Sequence, residues 1–246
     1  VQYYWRVDEV LANGSQVKGD VWTFTLGKQW AWWTFDGHAR DRSPQAFHGT
    51  PHGNPQWVPG VRGQALALDM EEDYIVIPPM NLNTDTMTIT LWVKTKEVID
   101  NPGLVFTRDS STSAGLWFNA SNNLRYNWND DRETWLWDSG LFAPNQTWTF
   151  VALVVEPDQA TIYMHDGTAM KSATHQHRHG AAAFDGVTNI GHDPRWGTVT
   201  GAIDDVHVYT YALGKAALAA FSARPDERQS SPQIMAPGHL QRVLEW

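Results

Sequence analysis

The sequence predicts an all-β fold, a two-sheet antiparallel sandwich of the jelly-roll kind with a β-hairpin at its start and a short helix near its end. Three observations carry this expectation. Apolar and polar residues alternate at period two through most of the chain, as in Met87 to Lys94 (MTITLWVK), while helical spacing is scarce. The alternating runs are short and regularly spaced. Turn residues separate them, as at Glu156-Pro157-Asp158-Gln159 and Asp166-Gly167. Many short strands punctuated in this way make a sandwich or jelly roll.

In chain order, residues 1–27 read as one hairpin: Tyr3 to Val10, a turn at Asn13-Gly14, then Val21 to Leu26. A lone hairpin is marginal in water, so this one is expected to be the remnant of an upstream β-sandwich domain. Residues 28–222 form the main domain. Tyr74 to Ile77 is a strand stopped by Pro78-Pro79, and Gly115 to Asn119, Leu124 to Asn129 and Thr134 to Asp138 alternate as strands. Thr147 to Val155 (TWTFVALVV) is a longer apolar strand that pairs with Ala160 to His165, and Ala202 to Tyr209 is the last. Gly214 to Phe221, rich in Ala and Leu, is the one helix. Residues 223–246 turn polar, with prolines at 225, 232 and 237, and read as a tail or linker whose end, 240–246, is apolar enough to dock.

Composition narrows the function classes. Of the 246 residues 42% are apolar, enough for a core, and no run approaches the roughly 18 apolar residues of a spanning helix, so membrane insertion is not expected. A net charge of −9 argues against nucleic acid. The absence of cysteine excludes disulfides, thiolate metal sites and a cysteine nucleophile. The chain begins at Val1 with no charged-then-apolar leader, and reads as a piece of a longer protein. The 14 tryptophans are the unusual number, because an indole N–H needs a partner when buried. Some of these rings are therefore expected at a surface, facing sugars or partner proteins.

Four segments carry a family likeness. GVRGQALALDMEEDYIVIP (Gly60 to Pro78) resembles the entry strands of laminin-G-like, concanavalin A-like jelly rolls, and GAIDDVHVYTYAL (Gly201 to Leu213) resembles their closing signature. MTITLWVKT and QTWTFVALVV are similar to two strands between them. The opening hairpin resembles the last two strands of a fibronectin type III-like or immunoglobulin-like domain. The likeness implies a secreted or surface-attached bacterial multidomain protein, extracellular or at the cell surface, with neighbouring domains of the same chain. It also implies that the first and last strands lie side by side, bringing Asp36 near Asp204 and Asp205, where members commonly hold a structural calcium. Asp36 and Asp204 are the expected ligands, one of the 204–205 pair pointing inward and the other outward. Turn capping, or pairing with Arg40 or Arg62, is the competing reading.

No catalytic residue is assigned. Glycosidases on this fold use an acid-x-acid pattern within a longer acidic run that this sequence lacks, and Asp69-Met70-Glu71, which has the spacing, reads as a solvated edge. Asn129 to Glu133 reads as a polar hairpin loop. The expected function is a non-catalytic carbohydrate-binding module with a polysaccharide or glycan partner. A protein-binding adhesive module is the alternative, and a hydrolase or lyase a more distant one. The candidate sugar-binding rings are Tyr126 and Trp128 on one strand, Trp135 and Trp137 on the next, and Trp196 in the loop Asp193 to Gly197. Arg125, Asn127 and Asn129 lie on the opposite face of their strand from Tyr126 and Trp128. Leu124 shares the face of Tyr126 and Trp128, so that stripe also reads as core, and core is the competing reading for Trp135 and Trp137 as well. The run His175 to Gly180 (HQHRHG) offers three alternating imidazoles. It falls where the family sequence is variable, and Arg178 disfavours a cation, so it reads as a solvated connecting loop.

Overall fold

A computed structural model describes residues 2–25, 27–68, 72–97, 101–109 and 112–223. The acid pair Asp69-Met70-Glu71 and the tail after Ala223 lie outside the described residues. The opening hairpin is formed by β1 (Gln2–Trp5) with β4 (Trp22–Thr25) and β2 (Glu9–Val10) with β3 (Gln16–Val17), both pairs antiparallel. There follow β5 (Gln29–Trp33), β6 (Thr50–His52), β7 (Gln56–Pro59), β8 (Gln64–Leu68), β9 (Tyr74–Ile77) and β10 (Met87–Glu97). Next come β11 (Gly103–Asp109), β12 (Thr112–Phe118), β13 (Leu124–Asn127) and the single-turn helix α1 (Arg132–Leu136). The chain continues through β14 (Thr149–Glu156), β15 (Gln159–His165), β16 (Met170–Gln176), β17 (Thr188–Ile190) and the small pair β18 (His192–Asp193) and β19 (Gly197–Thr198). It closes with β20 (Thr200–Tyr209) and α2 (Lys215–Ser222).

Two antiparallel sheets face each other. The eight-stranded sheet runs β16-β15-β14-β10-β20-β8-β7, with β5 also on β20, and the six-stranded sheet runs β13-β12-β11-β17-β9-β6. Between them lies a core of alternate residues, among them Ile89, Leu91 and Val93 of β10, Leu116 and Phe118 of β12, and Leu153 and Val155 of β14. The opposite face of β10 and β14 carries Trp92, Phe150 and Val154, which pack with Leu213 and with Leu218 of α2. Both faces of β10 are thus covered over Met87–Val93. Burial on both sides raises the apolar content of such a strand and blurs its alternation.

β20 shares one edge between two strands: Gly201–Ile203 pair with β8 and Val206–Tyr209 with β5, so the first and last strands of the domain lie side by side. At the join the chain makes a bulge. Asp205 has φ 51, and between the pairs Thr90–His207 and Trp92–Asp204 two residues of β20, Asp205 and Val206, oppose one of β10, Leu91. The bulge corrects the expected inward-outward split of the two aspartates. Ile203 and Val206 both face the core, while Asp204 and Asp205 are both buried outside it, against Arg62.

Two further expectations are corrected. Thr134 to Asp138 is not a strand. Asn129 and Asp130 take left-handed backbone, and Asp131 caps α1 by accepting from the Glu133 N–H at 2.9 Å. The HQHRHG run is not a solvated loop throughout: His175 lies in β16, and His179 is 4% exposed.

Gly115 lets the site-bearing strands β11 and β12 come together. Its φ is 144, and a Cβ there would press on the Val105 carbonyl and the Phe106 backbone. Gly115→Ala should destabilise the protein by about 2 kcal/mol, through strain and overpacking. Urea unfolding measures this, and an unchanged midpoint would contradict the close approach.

Candidate functional site

Residues on the outer face of the six-stranded sheet alternate with the core. Beside Val105 and Leu116, which point inside, β11 and β12 turn Phe106, Arg108 and Trp117 outward, and β13 turns out Arg125 and Asn127 on either side of the inward Tyr126. Trp117 and Arg125 are direct cross-strand partners. α1 raises Trp135 at one side, and the β18–β19 turn raises Asp193, Arg195 and Trp196 at the other. Asn101 and Asp130 complete a pocket of about 350 Å³.

Ion pairs and hydrogen bonds fix this wall. Arg108 grips Asp193 with Nε at 2.8 Å and Nη2 at 2.9 Å, and Asp193 is almost wholly buried. The same carboxylate accepts from the Arg195 N–H at 2.9 Å, which shapes the turn carrying Trp196. The Arg195 guanidinium lies 5.0 Å from the Trp196 ring centroid, and that of Arg125 lies 5.8 Å from Trp117. Arg125 also donates to Asp138 at 2.6 Å. Burial pushes the Asp138 carboxyl up, but the Gly140 N–H, Arg125 and Asn123 outweigh it and hold it below the usual range. Trp117 Nε1 and Arg125 Nε are buried in the wall with no hydrogen-bond partner.

Of the five rings singled out from sequence, Trp135 (36% exposed) and Trp196 (43%) line this pocket. Tyr126 and Trp128 are corrected: at 0% and 1% exposure they belong to the core, on the other side of the sheet. Trp137 is half-buried against that core and stacks on His175 at 5.1 Å. Trp117, Arg108 and Phe106 escaped the sequence reading. The signal for Trp117 was its parity, since its flanking Leu116 and Phe118 point the other way.

Buried Tyr126 explains the histidines. Its hydroxyl lies 2.7 Å from His175 Nδ1 and 3.0 Å from His179 Nε2, while His179 Nδ1 faces the Glu156 carbonyl at 2.9 Å. The carbonyl can only accept, so His179 carries its proton on Nδ1 and Tyr126 donates to Nε2. Burial pushes both His175 and His179 below the usual imidazole range. His177 stacks on His175 and reaches Asp131, the α1 cap, at 2.9 Å.

Asp36 and Asp204 cap one loop. Asp36 Oδ1 accepts from the Gln64 N–H at 2.9 Å, and Asp204 Oδ2 from Val61 and Arg62 at 2.8 and 3.0 Å. Arg62 pairs with Asp205, and Arg42 lies 3.7 Å from Asp36. Asp204 Oδ1 is buried without a partner, the one feature here that fits a cation. Calcium takes six to eight oxygens, and among the described residues no group of three or more His, Cys, Asp or Glu could hold a metal ion. Burial, then the neighbouring Asp205 and Asp36, push the Asp204 carboxyl up to about 7, against the lowering effect of the two N–H donors.

The fold recurs in solved structures. Domain 4 of AbnA, an extracellular arabinanase from Geobacillus stearothermophilus, in complex with arabinotriose, superposes with a TM-score of 0.66 at 19% identity, over 80% of this chain and 99% of that one. The binding domain of Paraclostridial Mosquitocidal Protein 1 gives a TM-score of 0.60 at 14% identity, over 78% of this chain and 51% of that one. The Trypanosoma rangeli sialidase in complex with the inhibitor DANA gives 0.52 at 13%, over 76% of this chain and 31% of the enzyme. Among curated proteins none is similar enough to match. A laminin-G model matches residues 69–219, well over half of the sequence, and with the two facing antiparallel sheets already described this places the chain in the concanavalin A-like lectin/glucanases superfamily.

Proposed function

We propose that the protein is a non-catalytic carbohydrate-binding module of a secreted or surface-attached bacterial multidomain protein, and that it holds a glycan in the pocket of Trp117, Trp135 and Trp196. The observation that carries this reading is the pocket: three indoles from three separate elements surround one concavity that also presents Arg, Asn and Asp side chains. Aromatic faces meet the C–H faces of sugar rings, and convergent polar groups satisfy the hydroxyls. The likeness to one domain of an extracellular arabinanase, bound to arabinotriose, supports both the ligand class and the extracellular setting. The lack of catalysis is supported by Asp193, whose two oxygens are both held by Arg108. That leaves Asp130 as the one lining carboxylate outside an ion pair among the described residues. Glycoside hydrolysis uses two carboxyls.

Trp196→Ala and Trp135→Ala should each weaken glycan binding about tenfold or more, as loss of a central aromatic anchor does. Their melting temperatures should stay near that of the parent, because both rings are exposed. Calorimetric titration over a polysaccharide panel tests this, and no binding to any glycan would favour a protein-binding module instead. Incubation with the same panel should release no reducing sugar.

A structural calcium at Asp36 and Asp204 is a separate part of the proposal, supported by the orphaned Asp204 oxygen. Asp204 binds its proton more tightly folded than unfolded, so its contribution is complete below about pH 4 and is lost as pH rises through about 7. In chelator, stability should therefore fall between pH 5 and pH 8, after allowance for other groups by comparison with Asp204→Asn. A metal ion competes with that proton, so added calcium should raise the melting temperature more at pH 8 than at pH 5. An identical midpoint with calcium and with chelator at pH 8 would remove the ion from the account.

A further inference from the structure

We propose that the sugar selected by this pocket carries a carboxylate. The inference rests on the glycan-binding reading and goes beyond it by naming the chemical class of ligand. The protein has a net charge of −9 and only 18 Lys and Arg, yet three arginines, Arg108, Arg125 and Arg195, line one pocket. A guanidinium carries five N–H donors and no acceptor. Arg108 uses its Nε and one Nη2 donor on Asp193, and Arg125 uses an Nη2 donor on Asp138. Among the described residues Arg195 makes no ion pair, and the acceptors left on this wall are the Asp130 carboxylate and the side-chain oxygens of Asn101 and Asn127, against the guanidinium donors of three arginines. Both Asp193 oxygens are engaged, and the Asn127 amide donates to Ser113 at 2.9 Å. Two further N–H groups, Arg125 Nε and Trp117 Nε1, are unpartnered on adjacent strands beneath the same concavity.

A hydroxyl brings a donor with every acceptor, so a neutral sugar leaves such a wall under-satisfied. A carboxylate brings acceptors alone, and its plane matches the fork of a guanidinium. Arg195, exposed at the rim beside Trp196, is placed to take that group while the indole meets the ring that bears it. Arg108 and Arg125 are each held by an aspartate that positions them, so Arg195 is the specificity-determining residue that substitution can test without breaking an ion pair of the wall among the described residues.

The experiment titrates the full chain with polygalacturonate, a sialylated oligosaccharide, carboxyl-reduced polygalacturonate, neutral arabinan and dextran sulfate, at low and high salt. Binding should favour one of the two carboxylated ligands, which identifies the source as a uronate or a sialate. Carboxyl reduction or Arg195→Ala should weaken it about tenfold or more, Arg195→Lys less so, and added salt should weaken it further. Equal affinity for the reduced or neutral polysaccharide would overturn the carboxylate and leave the glycan reading standing. Equal affinity for dextran sulfate would also overturn it, in favour of a general polyanion site. No binding to any of the five, nor to a wider neutral panel, would overturn both.

Discussion

The core and the pocket both depend on strict alternation across β12 and β13. Leu116, Phe118, Leu124 and Tyr126 go into the space between the sheets, and that commitment sends Trp117, Arg125 and Asn127 to the outer face. A slip of one residue in β13 would place the Arg125 guanidinium in the core and expose Leu124 and Tyr126, and a slip in β12 would expose Leu116 and Phe118. The pocket floor is thus held by the same burial that holds the domain together. Its walls are separate additions, a single helical turn on one side and a short hairpin on the other. Each is secured by one buried or capping aspartate, Asp193 for the hairpin and Asp131 for the helix. This division suits recognition, with a rigid floor and side walls free to differ in sequence.

The histidine run belongs to the same economy. Tyr126 fills the core at the end of β13, but its hydroxyl must find partners there, and burial pushes it well above the usual phenol range. His175 and His179 bracket that hydroxyl, and the Glu156 carbonyl completes the chain. Trp128 solves the same problem by donating to the Gly180 carbonyl at 2.6 Å, so both core aromatics of this corner are satisfied by residues 175–180. The outermost member, His177, reaches across to Asp131 and ties this corner to the helix that presents Trp135. Burial, with His177 beside it, holds His175 below the usual imidazole range, and the two rings pack face to face at 5.2 Å.

These contacts explain what was legible in the sequence. The final signature strand and α2 follow from local pattern and turn residues and stand within one or two residues of their expected bounds, whereas β10 runs three residues past Lys94 and β12 begins three before Gly115. Trp196 was legible as a surface ring from its loop, whereas Trp135 was read on a strand with core as the competing reading and stands exposed on a helix. Over five residues the spacing of Trp135 and Trp137 fits a strand as well as chance does, and the deciding facts were the left-handed Asn129 and Asp130 and the Asp131 cap. Tyr126 and Trp128 were ambiguous because alternation identifies two faces without saying which is inside. Trp117 and the convergence of three arginines were not legible, since the pairing that joins residues 106, 117 and 125 is a matter of sheet order. The HQHRHG run suggested ligands by composition, whereas the partners that occupy its nitrogens lie up to 53 positions away.

The bulge in β20 shows how a departure from alternation is put to use. A regular strand would have turned one of Asp204 and Asp205 into the apolar core, an uncompensated cost for a carboxylate. The extra residue instead turns both toward the loop of Gly60 to Gln64, where backbone N–H groups meet Asp204 and Arg62 meets Asp205. Burial pushes Asp205 up, but His207, Trp32 and Arg62 outweigh it and keep it ionised. Arg62 then donates to the Phe221 and Ala223 carbonyls at the end of α2, supplying acceptors that a helix C-terminus leaves open with the donors they need. One bulge therefore joins β5, the 60–64 loop, β20 and α2 at a single point. Asp205 is balanced within that knot and Asp204 is not, which leaves Asp204 as the carboxylate that a proton completes.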